Sequence, residues 1–258
     1  MFHRSRNLII GLTTFNHEFL RLSVSGLRRF SKKITLVIHN DNPCVRLTRR
    51  MVRKLGFRGR LHIINSKDNM GLFYSRVAIL NYIQDNKISG EWFMFANDDD
   101  VVLNTNIPDV AEQNFAIIGN SVVIKSRLLD VLRIMCDAGN CVVDGIDVVL
   151  RAPSIGFAGT FVRTNFVLEY GRFLSSVCQQ IMPLISDIPF VIPTDLIMWN
   201  GFIEYMRITH AGNTPIYMNQ TNYLMTKLNN TRYASADQNS ALINRVVSAV
   251  AAALRGDE

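Results

Sequence analysis

The sequence reads as an α/β protein built on a mostly parallel central sheet with helices on both faces. Three observations predict this. Strand-length apolar runs alternate with helix-like segments through the first hundred residues or so. Those runs are apolar almost throughout, as strands buried on both faces are. Asn, Asp, Gly and Pro punctuate the boundaries between them.

Residues 8–15 (Leu-Ile-Ile-Gly-Leu-Thr-Thr-Phe) are expected to form the first strand. Residues 18–30 follow as a helix, with Phe19, Leu20, Leu22, Val24, Leu27 and Phe30 at helical spacings. Residues 34–38 form the second strand, ended by the turn Asn40-Asp41-Asn42-Pro43. Pro43 suits the first turn of a helix running to about residue 55, with Gly56 beyond its end. Residues 61–64 form the third strand, 72–83 a helix, and Trp92-Phe93-Met94-Phe95-Ala96 the fourth strand.

The second half is less regular. It is read as a short strand at 122–124, a helix at 126–137 and strand or turn structure over 142–150. After Gly156-Phe157-Ala158-Gly159 come an apolar segment, a helix over 194–206, a strand at 215–218 and a terminal helix over 240–254. That last helix is amphipathic enough to cover the core or a partner subunit. No repeat or low-complexity linker divides the chain, so one domain over 1–258 is expected.

With 48% hydrophobic and 19% charged residues, the chain is globular and not disordered. No apolar run approaches the roughly 18 residues that span a bilayer. The N-terminus lacks the small-residue cleavage site of a signal peptide. Cys44, Cys136, Cys141 and Cys178 have neither metal-site nor disulfide-scaffold spacing, so reduced thiols in a cytoplasmic protein are expected.

The overall charge of +7 is uneven: residues 1–67 hold 15 Lys or Arg against Glu18 and Asp41, a surplus of 13 that leaves the rest at −6. An anionic partner is implied for that first quarter, against the plainer reading of a solvated surface. Arg46, Arg49, Arg50, Arg53 and Lys54 are expected on one helix face, where they would rest on anionic lipid or face solvent.

The most informative stretch is Phe93 to Val102, where three consecutive carboxylates, Asp98, Asp99 and Asp100, sit at the end of the fourth strand's apolar run. Adjacent carboxylates repel one another, and burying one is costly unless something positive compensates. A hard divalent cation with oxygen ligands, shared with a ligand's phosphates, does so. The plainer reading is a solvated acidic turn.

Several short motifs in order resemble the GT-A-fold nucleotide-sugar glycosyltransferases, in particular the inverting family 2, over about residues 8–218. Leu12-Thr13-Thr14-Phe15-Asn16 is similar to the end of that family's first strand, and Val37-Ile38-His39-Asn40-Asp41-Asn42 to its base-holding second strand. Asn69-Met70-Gly71 with Arg76 resembles its Asn-x-Gly-x-x-x-x-Arg, and Asp98-Asp99-Asp100 its Asp-x-Asp. Gly159, Arg163 and Gly171-Arg172-Phe173 resemble an acceptor-side segment, and Thr194-Asp195-Leu196 the helix start that carries the base. His39 stands where the family has Asp and Thr194 where it has Glu, and no late His completes a metal site, His210 lying too early.

The resemblance implies a GT-A fold, with a nucleotide-sugar half over about 1–103 and an acceptor half with the C-terminal helix over about 104–258. It implies that Thr14, Asn16, Asn40, Asp41, Asn69, Arg76, Asp98 and Asp99 meet the nucleotide sugar (a UDP, GDP or dTDP sugar), with Arg76 on the diphosphate. Asp98 and Asp100 would hold Mn²⁺ or Mg²⁺, and Asp195 would be the catalytic base. The implied acceptor is a glycan or lipid-linked hydroxyl, with peripheral membrane contact and a homodimer left open and no nucleic acid expected. Tyr217, Tyr223 and Tyr233 with Trp199 are candidates to line the sugar site.

Two other classes compete. A sugar-phosphate nucleotidyltransferase would need a Gly-rich, basic loop after the first strand, where this chain has Thr14-Phe15-Asn16-His17-Glu18. A basic nucleic-acid-binding module would carry a recognition motif that is not found.

Overall fold

Leu8–Thr14 form β1, with every residue buried, in the computed structural model, which describes residues 7–124, 135–137, 140–142, 148–153, 156–186, 194–226 and 236–256. β1 lies between β2 (Ile34–Asn40) and β4 (Trp92–Asn97), parallel to both, and β3 (Arg60–Asn65) continues the parallel set beyond β2. The connecting helices are α1 (His17–Leu27), α2 (Arg49–Lys54) and α3 (Gly71–Asp85).

Alternate side chains of these strands feed two cores. Ile9, Val37, Phe93 and Phe95 pack with α3 on one face, whereas Leu8, Ile10, Leu12, Leu36, Ile38, Trp92 and Met94 pack with α1 and α2 on the other. The sequence pattern is therefore a direct consequence of burial on both faces.

The sheet continues past β4 through β10 (Phe161–Arg163), antiparallel to both its neighbours, to β6 (Asn114–Ile124), β11 (Thr214–Thr226) and β5 (Val101–Val102). β9 (Val148–Pro153) pairs with β6, while β7 (Met135–Asp137) and β8 (Asn140–Val142) form a separate ribbon. Three more helices complete the chain: α4 (Thr164–Ser186), α5 (Thr194–Thr209) and α6 (Ala236–Arg255). Val167, Tyr170 and Leu174 of α4, Phe202 of α5 and Val250 of α6 extend the core on the α3 face. The architecture is the mostly parallel, helix-flanked sheet that the sequence predicts, with a less regular second half.

Four local expectations change. The helix expected from Pro43 is only the six residues of α2. Side-chain amides tie down the segment before it, Asn40 Nδ2 bonding the Val45 carbonyl and Asn65 bonding both the N–H and the carbonyl of Leu47. Thr48 then caps the helix by accepting from Met51 N–H. Arg46 consequently lies off the helix that carries Arg49, Arg50, Arg53 and Lys54. The short strands expected at 122–124 and 215–218 are the ends or middles of the longer β6 and β11. The apolar segment after Gly159 divides into β10 and the 23-residue α4. The helix expected over 126–137 falls largely outside the described residues, and its last three form β7.

Candidate functional site

The register lines up the carboxyl ends of the parallel strands. Thr14 pairs with Asn40 and Asn40 with Asn65, while Thr13 pairs with Asn97 one step earlier. The loops after β1, β2, β3 and β4 therefore emerge together, and ligands of open α/β sheets bind beyond this edge. The acid triplet begins at the residue after β4.

Asp98 is fixed to the β1 loop, its Oδ2 accepting from Phe15 N–H at 3.3 Å. Burial pushes its carboxyl up to about 7; the Thr14 hydroxyl and Phe15 N–H bonds pull the other way, and neighbouring Asp99 adds to the rise. Asp99 is also raised, by burial first and then by Asp195. Asp100 is buried and accepts from Asn97 Nδ2 at 2.9 Å. Asp100 is thus withdrawn from water, Asp98 and Asp99 are half-buried, and Asp195 lies near enough to raise Asp99 further.

Asp195 lies in the first turn of α5, close to Gly156, where a Cβ would stand 3.3 Å from the Cβ of Asp195. Its Oδ1 is ion-paired with Arg76 Nη1, and its side chain remains 23% exposed. Arg76 itself is 0% exposed. Its other terminal nitrogen donates to Asn97 Oδ1 at 3.0 Å, and its guanidinium lies over the Phe95 ring at 4.9 Å. This corrects the expectation that Arg76 meets a diphosphate: a guanidinium committed to Asp195 and Asn97 beneath the surface has no face to offer an external anion. Its Nε is buried with no partner among the described residues.

Asp41 and Asn69 serve the start of α3. The Asp41 carboxylate accepts from Met70 N–H and Gly71 N–H, both at 2.8 Å, and Asn69 Oδ1 also accepts from Gly71 N–H. Met70 gives no side-chain cap, so the carboxylate at the end of β2 satisfies the helix's orphan donors. Gly71 has φ +77°, a left-handed conformation that L side chains rarely adopt, with open space where a Cβ would lie. The Asn-x-Gly spacing is therefore explained by backbone geometry.

Asn40 is fully buried. Its Nδ2 donates to Asn42 O, Val45 O and Asn65 Oδ1, and its Oδ1 lies 2.9 Å from His17 Nε2. Its amide is engaged in holding three loops, so its expected contact with a nucleobase would have to share those bonds. Asn16 caps α1 through Glu18 N–H and lies at the rim, as does exposed Phe15. Thr14 is buried beneath Asp98. His39 is buried with its imidazole pKa lowered by that burial, Asp41 opposing, and its Nδ1 has no partner among the described residues.

Beside this rim lies a hollow of about 400 Å³ lined by Asn40, Asn42, Pro43, Arg46, Asn65, Ser66 and Lys67. A second, of about 450 Å³, shares Arg46 and Asn65 with it and adds Arg49 and Tyr82. Both lie at the ends of β2 and β3, and neither is lined by the acid triplet.

Of the other residues singled out in the sequence, those the structure describes have partners within the fold. Arg163 faces the opposite end of the sheet, its Nε bonding Asn114 O, its guanidinium over Trp92 and a carboxylate contact to Glu91 at 3.5 Å. Tyr223 is buried with its hydroxyl accepting from Asn97 N–H, and Trp199 is packed on Phe157. Tyr217 is exposed and bonds Asn120, and Tyr233 lies outside the described residues. His210 pairs with Glu169. Asn97, which sequence reasoning passed over, touches Arg76, Asp100 and Tyr223. Its only signal was a polar residue closing an apolar strand against three acids.

Among the described residues, no group of three or more His, Cys, Asp or Glu is arranged to hold a metal ion. No described helix is long and apolar enough to cross a membrane.

No family model matches the chain, and no curated protein matches it. Solved structures do resemble it. S. aureus TarS has a TM-score of 0.48 at 14% identity over 94% of this chain, which spans 39% of that one. Glucosyl-3-phosphoglycerate synthase from Mycobacterium tuberculosis, solved with Mg²⁺ and uridine diphosphate, has a TM-score of 0.45 at 10% identity, covering 96% of this chain and 79% of that one. A glycosyltransferase involved in glycosylation of the PBCV-1 major capsid has a TM-score of 0.39 at 11% identity, covering 93% and 98%. At these scores and identities no residue role or activity carries across to this chain.

Proposed function

We propose that the protein transfers a sugar from a nucleoside-diphosphate donor to a hydroxyl group of a glycan or lipid-linked acceptor, with inversion and with a divalent cation. The observation that carries this reading is the gathering of Asp98, Asp99, Asp100 and Asp195 at the carboxyl edge of the parallel strands. The donor set fits a hard cation. Asp98 and Asp100 are withdrawn oxygen ligands, and burial already disfavours charge on Asp98. Asp98 and Asp100 would hold the cation, and among the described residues no third His, Cys, Asp or Glu is grouped with them to do so. Such a cation supplies neutralisation of the diphosphate as it departs.

Arg76, paired with Asp195 and Asn97, sets the position of Asp195 in this reading. Asp195 is oriented by Arg76 and still partly exposed, so it can take the acceptor hydroxyl proton. That oxygen then bonds the anomeric carbon as the bond from that carbon to the diphosphate oxygen breaks. Asn16, Asn42 and the hollow with Arg46 and Lys67 offer polar groups for the nucleoside.

Calorimetry of UDP, GDP and dTDP with Mn²⁺ tests the reading and names the base. One nucleotide is expected to bind only with the metal, and Asp100→Ala to abolish that binding. Tight binding unchanged in Asp100→Ala defeats the metal assignment. Steeply salt-dependent RNA binding indifferent to Asp100 would favour the nucleic-acid module instead.

A further inference from the structure

We infer that Asn97 is a positioning residue whose side-chain amide ties the base side of the site to the cation side. The inference rests on the transferase reading above. On one side, Asn97 Oδ1 accepts from Arg76 Nη2 at 3.0 Å, and Arg76 holds Asp195. On the other, Asn97 Nδ2 donates to Asp100 Oδ2 at 2.9 Å. The backbone is fixed too, since β4 pairs with β1 and Asn97 N–H donates to the Tyr223 hydroxyl at 2.9 Å.

The neighbours dictate which end of the amide points where. A guanidinium only donates and a carboxylate only accepts, so one amide of this length satisfies both and cannot flip without losing both. Arg76 is wholly buried with Nε lacking a partner among the described residues, so the contacts of its terminal nitrogens fix where it sits, and hence where it holds Asp195. A shift of Asp100 on taking up a cation would pull on the same amide. Asn97 thus makes the aim of Asp195 depend on the state of Asp100.

Two near-isosteric variants separate the halves. Asn97→Asp keeps an acceptor for Arg76 and sets a second carboxylate against Asp100. Asn97→Leu removes both contacts and leaves Arg76 Nη2 without that partner. Turnover is measured with the donor selected by the nucleotide panel, and Mn²⁺ binding by electron paramagnetic resonance without nucleotide.

The expected result is that Asn97→Leu loses at least about ten-fold in kcat at saturating donor and Mn²⁺, with donor KM within about two-fold. Asn97→Asp should lose several-fold less kcat than Asn97→Leu while moving the Mn²⁺ dissociation constant by about five-fold or more. Wild-type kcat and Mn²⁺ binding in both variants overturns the inference. So does an equal loss of kcat in both that tracks a loss of thermal stability, which would mark a merely structural residue. If the wild type transfers no sugar yet Asn97→Asp shifts Mn²⁺ binding, the transferase reading fails and the link from Asn97 to the cation side stands. If the wild type is active and Mn²⁺ binding is indifferent to Asn97→Asp, the reading stands and this inference fails.

Discussion

Asp195 occupies the first turn of a helix, where the macrodipole favours a carboxylate whether or not it does chemistry. What distinguishes it is its company: a buried arginine on one oxygen, a glycine at its back and electrostatic contact with Asp99. Asp195→Asn is expected to keep nucleotide affinity in calorimetry and to lose about 100-fold or more in transfer, the range of a lost general base. Near-normal turnover would remove Asp195 from that role.

Asp98 gives a pH prediction. Its folded value of about 7 lies above the roughly 3.9 of an unfolded aspartate. The folded state therefore binds the proton more tightly, and the stability this confers is fully present below about pH 4 and lost as pH rises through about 7. In metal-free protein the urea midpoint should fall between pH 5 and 8 more steeply than in Asp98→Asn. A cation that needs the ionised form should also bind more weakly at pH 6 than at pH 8, and parallel midpoint curves for the two proteins would refute the burial argument.

At the scale of elements, α3 shows that motif residues read for ligand binding also have a backbone task. Asn69 and Gly71 were legible as one motif and Asp41 as part of another, and the structure joins all three at the start of a helix. Removing the carboxylate in Asp41→Ala should cost about 1–2 kcal/mol of stability, typical of a lost cap, in urea unfolding. No loss of stability would show that the two N–H groups find other partners. The strands of the first half were readable because burial on both faces leaves an unbroken apolar run. The start of α2 was not, because amide side chains from the ends of β2 and β3 overrode the preference of Pro43 for a helix start. The length of β6 and the existence of β10 depend on partners more than forty residues away, which no local pattern encodes.

For the whole molecule, the basic first quarter folds into one end of the sheet and its covering helices, so charge asymmetry in the sequence becomes asymmetry in space. Arg46, Arg49, Arg50 and Lys54 are exposed there beside the exposed apolar side chains of Val45 and Met51. Cations flanking apolar side chains would rest on an anionic bilayer surface or face solvent, and vesicles separate the two. Sedimentation with vesicles should show binding to phosphatidylglycerol but not to phosphatidylcholine, reduced by about ten-fold in Arg49→Glu/Arg50→Glu. Equal recovery with both lipids, or none, leaves the basic face as a solvated surface.

The sequence alone determined the layering of the first half and the position of the acid triplet at a strand end, because both follow from local apolar periodicity and chain order. Only the tertiary structure decided that Asp195 comes to that triplet, that Arg76 is committed beneath it and that Asn97 joins the two. Those contacts bridge 119, 21 and 3 residues of chain, and even the shortest depends on which way a buried arginine turns the amide.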